Sequence, residues 1–242
     1  LAGVGDYNFT SDYLLSNTKD NIFYKEKIYS ELTFHYWYWK NILDLKDTSW
    51  NGFSQRRRHW IKSTSKKKDI NNHNLADHIL VKPENDWEKY ESIICEPLRV
   101  NQVKKMKILK RGFKSMMKNP SILFDENKQN LQLHFDMHHG YGNLKKAIKV
   151  LDKEDRDDFD DYVNSKTKFN PHIMYISKNI VLNRWFNNLF PWLERCEKIF
   201  GYDNLNGYDT GRLYAYLAER YSSFWFKKYT NFKEQPWTFL NE

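Results

Sequence analysis

The sequence predicts an α/β fold, and three features support this prediction. Short strand-like segments are interspersed with amphipathic helical segments, the pattern of a layered α/β arrangement. The length of 242 residues is ample for one large domain with its own core. Aromatic residues make up 17% of the chain, which argues for a folded protein despite its high charge. We find no internal repeat and no domain boundary. We therefore expect a single domain over residues 1–242, whose C-terminal portion, residues 176–242, is helical.

The N-terminal part is predicted to form a short strand and then a helix. Residues 1–10 are typical of a strand that ends in a turn at Gly5-Asp6. Ser30 is expected to cap a helix that begins at Glu31. Spacings of four, three and four residues place four apolar side chains on one face of this helix: Leu32, Tyr36, Trp39 and Leu43.

Three polar or mixed segments follow this helix. Residues 47–60 pass through a turn into a short strand or loop, and the lysine-rich residues 62–74 are predicted to form a mobile surface loop. Residues 76–83 are predicted to form a short strand that Pro83 ends.

Residues 100–119 are predicted to form a basic amphipathic helix. The expected apolar stripe consists of Val100, Val103, Met106, Leu109, Phe113 and Met116. The charged face consists of Lys104, Lys105, Lys107, Lys110, Arg111, Lys114 and Lys118. We expect an ordinary surface helix docked on the core through this stripe; the alternative is a helix that lies against anionic lipid.

The C-terminal half is predicted to be mostly helical. Residues 132–151 are expected to form a strand, a His/Gly turn and a helix, and the acidic residues 152–163 a further helix. Residues 170–178 resemble a buried strand with a turn at its head. Two helices, at about residues 180–200 and 209–226, are predicted to close the chain.

Charge and cysteine content restrict the partners and the compartment. An excess of 39 Lys and Arg over 31 Asp and Glu gives a net charge of +8, which indicates phosphates, nucleic acid or an anionic membrane surface as partners. Cys95 and Cys196 do not make a disulfide framework, which favours a reducing cytosol. No apolar run approaches the roughly 18 residues of a membrane span, and no signal-peptide pattern opens the chain. We expect a cytoplasmic protein.

Three consecutive arginines form the first candidate site. Arg56, Arg57 and Arg58 lie between the large apolar residues Phe53 and Trp60. Guanidinium groups bind phosphate oxygens through paired hydrogen bonds, so this cluster could hold a nucleotide diphosphate. The alternative is a solvated patch or an ion-pair network, and composition alone favours that alternative.

The second candidate site contains two adjacent histidines. His138 and His139 follow Asp136 and could form a metal pair or a general-base site. Neighbouring side chains tend to point in different directions, and the spacing matches no zinc motif. A functional role for one of the two histidines is expected, and a metal site is not favoured.

Two charged segments have a structural explanation. The sequence at 155–157 has the Asp-x-Asp letters of a divalent-ion site but lies in a polar helical run, so we expect a solvated face. Arg212 and Glu219 are seven residues apart, on one helix face with Arg220 near them. Such pairing is as often structural as catalytic.

The two ends of the chain carry motifs of a known family. Gly5-Asp6, Asn21-Ile22, Lys25 and the run YSELTFHYWYWKN at 29–41 resemble the first motif of bacterial glycosyltransferases of capsular or exopolysaccharide biosynthesis, long described as a domain of unknown function. The run RLYAYLAER at 212–220 resembles the last motif, RxFGFLSER.

The middle motifs match less closely. SQRRRHW at 54–60 resembles the family's HYRRYF segment, but Gln55 stands where the family has a histidine. HIMYISK resembles an Asn-Met-Phe-Ile segment, with His172 at the Asn position, and His139 loosely matches a central histidine. The family usually has a further strand before the GD motif, so we expect an N-terminal strand to be missing from this sequence.

The resemblance implies a fold and a set of site residues. The expected fold is a GT-A-like nucleotide-sugar transferase sandwich, in which an arginine pair replaces the usual Asp-x-Asp motif and its metal. No metal cofactor is expected; Mn²⁺ or Mg²⁺ is the alternative. The implied donor-binding residues are Asp6, Asn21, Lys25, Glu31, Arg57 and Arg58. Arg212 and Glu219 would support the pocket. The base that an inverting transfer requires would come from Asp136, His138 or His139.

The resemblance also implies an activity and partners. The protein is expected to be a hexosyltransferase that moves a sugar from a nucleotide-diphosphate donor onto a growing capsular or surface polysaccharide. The donor would be a UDP-sugar, and the choices include UDP-galactofuranose and its N-acetyl form. The acceptor would be lipid-linked or an oligosaccharide, with peripheral contact between the protein and the anionic inner face of the cytoplasmic membrane. The alternatives are a nucleic-acid-binding protein, although no nucleic acid is expected, and a non-catalytic assembly subunit, which the Gln55 departure leaves open.

Overall fold

A four-stranded mixed sheet forms the centre of the molecule in a computed structural model that describes residues 1–5, 7–203 and 205–241. The strands in this part of the chain are β1 Ala2–Gly3, β2 Leu14–Leu15, β3 Trp50–Phe53, β4 Arg58–Trp60, β5 Ser92–Cys95, β6 Leu98–Arg99, β7 Lys168–Phe169, β8 Tyr175–Lys178, β9 Phe232–Gln235 and β10 Trp237–Phe239. The helices are α1 Glu26–Tyr29, α2 Leu32–Asn41, α3 Leu75–His78, α4 Lys105–Arg111, α5 Phe113–Lys118, α6 Leu131–His139, α7 Asn143–Ile148, α8 Lys153–Ser165, α9 Asn179–Phe200, α10 Gly207–Thr210 and α11 Leu213–Tyr229.

The central sheet has the strand order β3-β8-β5-β9. Strand β8 is antiparallel to both of its neighbours, and Ile176 pairs with Gly52 on one side and with Ile93 on the other. Strands β5 and β9 are parallel, with Ile93 opposite Lys233. The C-terminal portion, residues 176–242, contains β9, β10 and all but the first residue of β8. This portion therefore supplies strands as well as the predicted helices.

The two faces of the sheet bury separate apolar clusters. Ile94 and Tyr175 belong to the main core, whereas Ile93 and Ile176 belong to a second cluster on the opposite face. This alternation follows from the period-two geometry of a strand and makes the sheet the middle layer of a mixed α/β structure. The α/β prediction is confirmed.

The main core accounts for much of the aromatic excess. Helices α9 and α11 pack against each other and bury three tryptophans: Trp185, Trp192 and Trp225. The Trp192 and Tyr221 rings lie 4.8 Å apart, and the Trp185 and Trp225 rings 5.3 Å apart. These aromatic residues stabilise the core and are not available for stacking on a ligand. In the described residues no helix is both long and apolar enough to span a bilayer.

Helix α2 is present, with a different start from the predicted one. It begins at Leu32, and Ser30 has φ = +52° and makes no side-chain cap. The Ser30 carbonyl accepts the Thr33 N–H at 3.1 Å instead. The predicted apolar face is confirmed, because Leu32 is buried in the main core and Tyr36, Trp39 and Leu43 pack against it.

The strand predicted within residues 132–151 is wrong, because helix α6 occupies its place. The Asn130 side chain caps this helix by accepting the Leu133 N–H at 2.9 Å. Leu131 and Phe135 enter the main core, whereas Leu133 and Met137 enter a third, smaller cluster. A helix that is buried on two sides shows alternating apolar residues, and this pattern imitates a strand.

The strand predicted for residues 76–83 is also wrong. Residues Leu75–His78 form helix α3, and only a single bridge, between Ile79 and Ile61, has strand geometry. The lysine-rich segment 62–74 contains a 3-10 turn at Lys67–Asp69 and is attached to the protein through the buried Ile70.

The basic helix 100–119 exists in two parts, and half of its predicted stripe docks. Val100 is buried in the main core, and Val103 and Met116 pack against the third cluster. The other three stripe residues, Met106, Leu109 and Phe113, are exposed. Gly112 separates α4 from α5. Ile108, on α4, is fully buried and attaches the two helices to the rest of the protein. It packs in the third cluster with Ile122, Leu133 and Met137. A Cβ at Gly112 would lie 3.2 Å from Met137 Cγ, so the glycine permits this close approach. The docking face therefore runs along positions 108, 112 and 116.

Candidate functional site

The arginine run lies in a tight turn between β3 and β4. The Arg58 N–H donates to the Gln55 carbonyl at 3.0 Å, and the Leu240 N–H donates to the Arg57 carbonyl at 3.0 Å. Trp60 anchors the turn by donating from Nε1 to the Phe53 carbonyl at 3.2 Å. Arg57 itself has φ = +66°, a left-handed conformation that is uncommon for a residue with a side chain. Backbone strain of this kind concentrates at functional sites.

The guanidinium groups of Arg57 and Arg58 have hydrogen-bonding capacity to spare. The Nε atoms of both are buried and lack a hydrogen-bond partner in the described part of the chain. Arg58 makes one long bond, from Nη1 to the Arg56 carbonyl at 3.4 Å, and lies 5.4 Å from the Phe239 ring. Neither of the two forms an ion pair with a described carboxylate. Buried donors of this kind suit a phosphate or another oxyanion.

Glu31 lies beside this turn at the start of α2. Its carboxylate accepts a hydrogen bond from the Gln55 side-chain amide, so the residue that replaces the family's histidine contacts Glu31. Burial raises the pKa of Glu31 above its usual value, and the negative charge of Glu219 raises it further, whereas the Arg212 guanidinium lowers it. Glu31, Arg212 and Glu219 thus share one electrostatic environment.

Glu219 connects this environment to His172 and Arg220. The Glu219 carboxylate accepts the His172 N–H at 2.6 Å and a hydrogen bond from the Arg220 guanidinium. His172 and Ile173 both have positive φ, +75° and +52°, so two successive residues are strained. The His172 Nε2 atom is buried without a partner among the described residues, and the ring lies edge-on to Trp237 at 4.5 Å.

His172 is neutral at physiological pH. Burial lowers the pKa of His172 to about 4, and the charge of Arg58 contributes to this lowering while Glu219 opposes it. The effect of Arg58 shows that His172 and the arginine turn lie in one electrostatic environment. We call the combined set the arginine site; it consists of Glu31, Gln55, Arg57, Arg58, His172, Arg212 and Glu219.

The three predicted base residues lie on α6, apart from the arginine turn. Asp136 accepts hydrogen bonds from the Gly142 N–H at 2.9 Å, from Gln132 at 2.8 Å and from Ser115 at 3.3 Å. Burial raises the pKa of Asp136, but these three bonds occupy its oxygens in holding the turn after the helix. The residue therefore has a structural role in this conformation.

The two predicted histidines are closer to the arginine site. His139 stacks on Tyr216 with ring centroids 3.7 Å apart, and its Nδ1 atom lies 3.2 Å from the Asp209 carbonyl. Burial lowers the pKa of His139 to about 3, and burial also lowers the pKa of His138. The charge of Arg220, which also binds Glu219, contributes to both shifts. Arg220 is thus the connection between α6 and the arginine site.

The predicted donor-binding residues near the N-terminus, Asn21 and Lys25, contact residues outside the arginine site and define a second part of the candidate site. Asn21 supports a local turn, with its amide donating to the Lys19 carbonyl at 2.8 Å and its oxygen accepting the Phe23 N–H at 3.1 Å. Lys25 pairs with Glu197 at 2.7 Å, and Glu197 also accepts the hydroxyls of Tyr29 and Tyr202. Asp6, the remaining predicted donor contact, lies outside the described residues.

A groove joins this second part of the candidate site to Arg212. A cavity of 410 Å³ is lined by Tyr24, Lys25, Lys27, Ile28, Tyr202, Asp203, Leu205 and Asn206. An adjoining cavity of 330 Å³ shares three of these residues and extends along α10 to Arg212 and Tyr216. Lys25 and Arg212 therefore lie along one groove, although they are far apart in sequence.

The Asp-x-Asp letters at 155–157 have a different role from the predicted solvated face. Asp155 is buried and accepts hydrogen bonds from Tyr221 at 2.6 Å, Tyr229 at 2.7 Å and Lys228 at 2.8 Å. It connects α8 to α11 and is a structural residue. Asp157 is exposed, as predicted. The described residues contain no group of three or more His, Cys, Asp or Glu side chains that could together hold a metal ion. The expectation that no metal cofactor is required, with Mn²⁺ or Mg²⁺ as the alternative, stays a prediction.

Sequence reasoning missed two contacts of the arginine site. His172 entered the prediction only as a motif position, and its strain and unpartnered nitrogen are properties of the folded chain. The contact between Gln55 and Glu31 joins residues 24 positions apart. The sequence contains one indication that position 55 differs from the family, because Gln55 stands where the family has a histidine.

The fold has a counterpart among solved structures. The chain matches the apo structure of WbbM, a bifunctional glycosyltransferase, with a TM-score of 0.65 over 94% of this chain and 39% of that chain, at 18% identity. The chain thus spans about two fifths of the length of that protein. At this identity the similarity establishes the fold. The protein has a GT-A-like mixed α/β fold, as predicted.

The sequence family is also established. The chain belongs to the DUF4422 family, a domain of unknown function, whose profile matches residues 3–231. No curated protein matches the chain. The family description names no activity.

Proposed function

We propose that the protein is a glycosyltransferase in which Arg57 and Arg58 bind the diphosphate of a nucleotide-sugar donor. The observation that carries the proposal is the pair of half-buried arginines whose buried Nε atoms lack a partner among the described residues, on a strained turn near Glu31, His172 and Glu219. The GT-A-like fold, shared with a glycosyltransferase, supports it. Two fixed positive charges would stabilise the leaving nucleoside diphosphate as a metal ion does in related reactions.

The groove provides a place for the rest of the donor. Arg212, a member of the arginine site, lines one end of the groove, and Lys25 lines the other end. Tyr24, which is exposed and also lines the groove, offers a ring face to a nucleobase. We propose a UDP-sugar as donor and a growing lipid-linked or oligosaccharide glycan as acceptor. The resemblance of the motifs to the glycosyltransferase family supports this finer assignment, and UDP-galactofuranose is one of the donors that it implies.

The transfer requires a proton acceptor. The acceptor hydroxyl oxygen forms a bond to the anomeric carbon, the bond from this carbon to the diphosphate breaks, and the hydroxyl proton passes to a base. We propose Glu31 as this base, because it lies beside the arginine turn and burial raises its pKa, which makes the carboxylate a stronger base. His138 and His139 on α6 are the alternatives. Neutral His172 would position the sugar through its free ring nitrogen.

Donor hydrolysis tests the activity and the base together. We expect the purified chain to release UDP slowly from a UDP-hexose, with UDP-galactose and UDP-galactofuranose as probes and water as acceptor. Glu31→Gln should lower the rate about 100-fold or more, the usual contribution of a general base, while UDP binding is retained. Asp136→Asn is the matched control and should leave the rate nearly unchanged.

The outcomes separate the alternatives. Loss of activity in Asp136→Asn, His138→Asn or His139→Asn but not in Glu31→Gln would move the base to α6. UDP binding without release from either donor would favour a non-catalytic subunit. Absence of both binding and release would contradict the proposal.

A further inference from the structure

Helices α4 and α5 expose a row of large apolar side chains on the side away from the core. Met106, Leu109, Phe113 and Met117 are 63%, 40%, 53% and 65% exposed. They are three, four and four residues apart, so they lie along one face. The docking residues Ile108 and Gly112 lie on the neighbouring face, offset from this row by about 100° around the helix. Exposed contiguous apolar surface of this kind usually marks an interaction site.

Positive charge surrounds this row. Eight Lys and Arg residues and no acidic residue lie between Glu96 and Asp125. Within the described structure, Lys104, Lys107 and Lys110 form no ion pair. Two exposed aromatic residues complete the surface: Phe124, with Lys105 Nζ 4.8 Å from its ring, and Tyr141, with Lys118 Nζ at 5.4 Å. We call the four apolar residues, the basic residues of 104–118 and these two aromatic residues the basic-apolar face.

We propose that the basic-apolar face docks the protein on an anionic lipid bilayer. Apolar side chains would enter the boundary between headgroups and acyl chains, and the lysines would contact anionic headgroups, as in an interfacial amphipathic helix. Charge complementarity selects this occupant. A second copy of the same face would bring like charges together, and nucleic acid would leave the exposed Met and Leu side chains without a partner.

The position of this face relative to the groove adds a functional consequence. Arg111 on α4 pairs with Asp209 on α10 at 3.5 Å, and α10 lines the groove that reaches Arg212. A docked membrane would therefore lie near this end of the groove, where a lipid-linked acceptor would approach. This consequence rests on the proposed function, but the docking itself does not.

Co-sedimentation with vesicles tests the proposal on the full chain. We expect binding to vesicles of about 30% phosphatidylglycerol in phosphatidylcholine, and much weaker binding to pure phosphatidylcholine. Lys104→Gln with Lys107→Gln should weaken binding roughly thirtyfold, since each basic residue near the surface contributes about a factor of five. Phe113→Ser with Met117→Ser should weaken it at least tenfold.

The matched control places the same kinds of change elsewhere. Val81 is 79% exposed and Lys82 follows it, so Val81→Ser with Lys82→Gln should leave vesicle binding unchanged. Unchanged thermal unfolding of each variant would show that the fold is retained. UDP binding of the Phe113/Met117 variant should also be unchanged, which separates a failure of docking from a failure of the proposed function.

Several results would overturn the proposal. The proposal is wrong if the wild-type protein does not bind anionic vesicles. It is also wrong if both double variants bind these vesicles as strongly as the control variant does. Self-association in sedimentation that the Phe113/Met117 variant abolishes, without vesicle binding, would assign the face to a second copy. Salt-sensitive binding of an oligonucleotide in place of vesicles would assign it to nucleic acid.

Discussion

At Arg57 the backbone adopts φ = +66°, a conformation that costs a residue with a Cβ roughly 1–2 kcal/mol. Neighbouring segments hold it there, because the Leu240 N–H donates to its carbonyl and the Arg58 N–H closes the turn onto Gln55. Glycine would adopt the same conformation without this cost. The presence of arginine is therefore explained by its side chain and not by the turn.

We expect one substitution at Arg57 to have opposite effects on stability and on binding. Arg57→Gly should leave the free energy of unfolding unchanged or raise it by about 1 kcal/mol, because strain is relieved while unfolded-chain entropy increases. UDP affinity should fall at the same time. Urea unfolding and calorimetry measure the two quantities. A variant destabilised by more than about 2 kcal/mol would instead indicate that the Arg57 side chain stabilises the fold.

Some residues of the site were predictable and others were not. Arg57, Arg58, Glu31, Arg212 and Glu219 were named from motifs, and their part in donor binding stays a prediction. The structure brings the charges of Arg212 and Glu219 near Glu31, and those of Arg58 and Glu219 near His172. The motifs could not show the partners that now define their chemistry. His172 meets Glu219 across 47 residues, and only the assembled sheet and α11 bring the two together.

Helix α6 shows why patterns at the scale of an element can mislead. Its alternating apolar residues satisfy the pattern of a strand, yet the alternation arises because Leu131 and Phe135 face one cluster and Leu133 and Met137 another. The same third cluster decides which face of α4 docks. The basic helical segment was predicted correctly, but the sequence could not show that Ile108, which lies outside the predicted stripe, is the fully buried residue of α4 while Met106 and Leu109 are exposed.

Two adjacent residues of α4 test this assignment. Ile108→Ala should lower the free energy of unfolding by about 2–4 kcal/mol, because it leaves a cavity between Ile122, Leu133 and Met137. Leu109→Ala, on the exposed face, should change it by no more than about 0.5 kcal/mol. Equal destabilisation by both variants in urea unfolding would mean that the exposed row is docked after all.

For the whole molecule, buried neutral histidines link stability to pH. Burial lowers the pKa of His35 to about 3, of His134 to about 2, of His139 to about 3 and of His172 to about 4, from a usual value of 6.5. The unfolded chain therefore binds more protons than the folded protein below pH 6.5. Stability contributed by these residues is present above that pH and is lost as the pH falls.

We accordingly expect the free energy of unfolding to decrease from pH 6.5 towards pH 4. Each histidine contributes at most about 1.4 kcal/mol per pH unit over this interval. Urea unfolding at pH 7, 6 and 5 measures the slope. A free energy of unfolding that is constant over this interval would show that the histidines gain protons or solvent contact in the folded state.

The α/β class was predictable for the whole molecule because strands and helices are interspersed along the chain. Strand order was not, since β5 and β9 pair across 140 residues. The sheet places the β3–β4 turn, the turn before β8 and the start of α2 together. That arrangement creates the arginine site, at which we propose that a nucleotide diphosphate binds.

Calorimetric titration of UDP in EDTA, repeated with Mn²⁺, tests this claim most directly. We predict metal-independent binding that Arg57→Ala with Arg58→Ala weakens at least about 100-fold, because charged hydrogen bonds to phosphate contribute about 1.5–3 kcal/mol each. Arg56→Ala, in the same turn but exposed, serves as control and should bind nearly as wild type. Binding that the double variant retains, or binding that appears only with Mn²⁺, would contradict the assignment of the diphosphate to the two arginines.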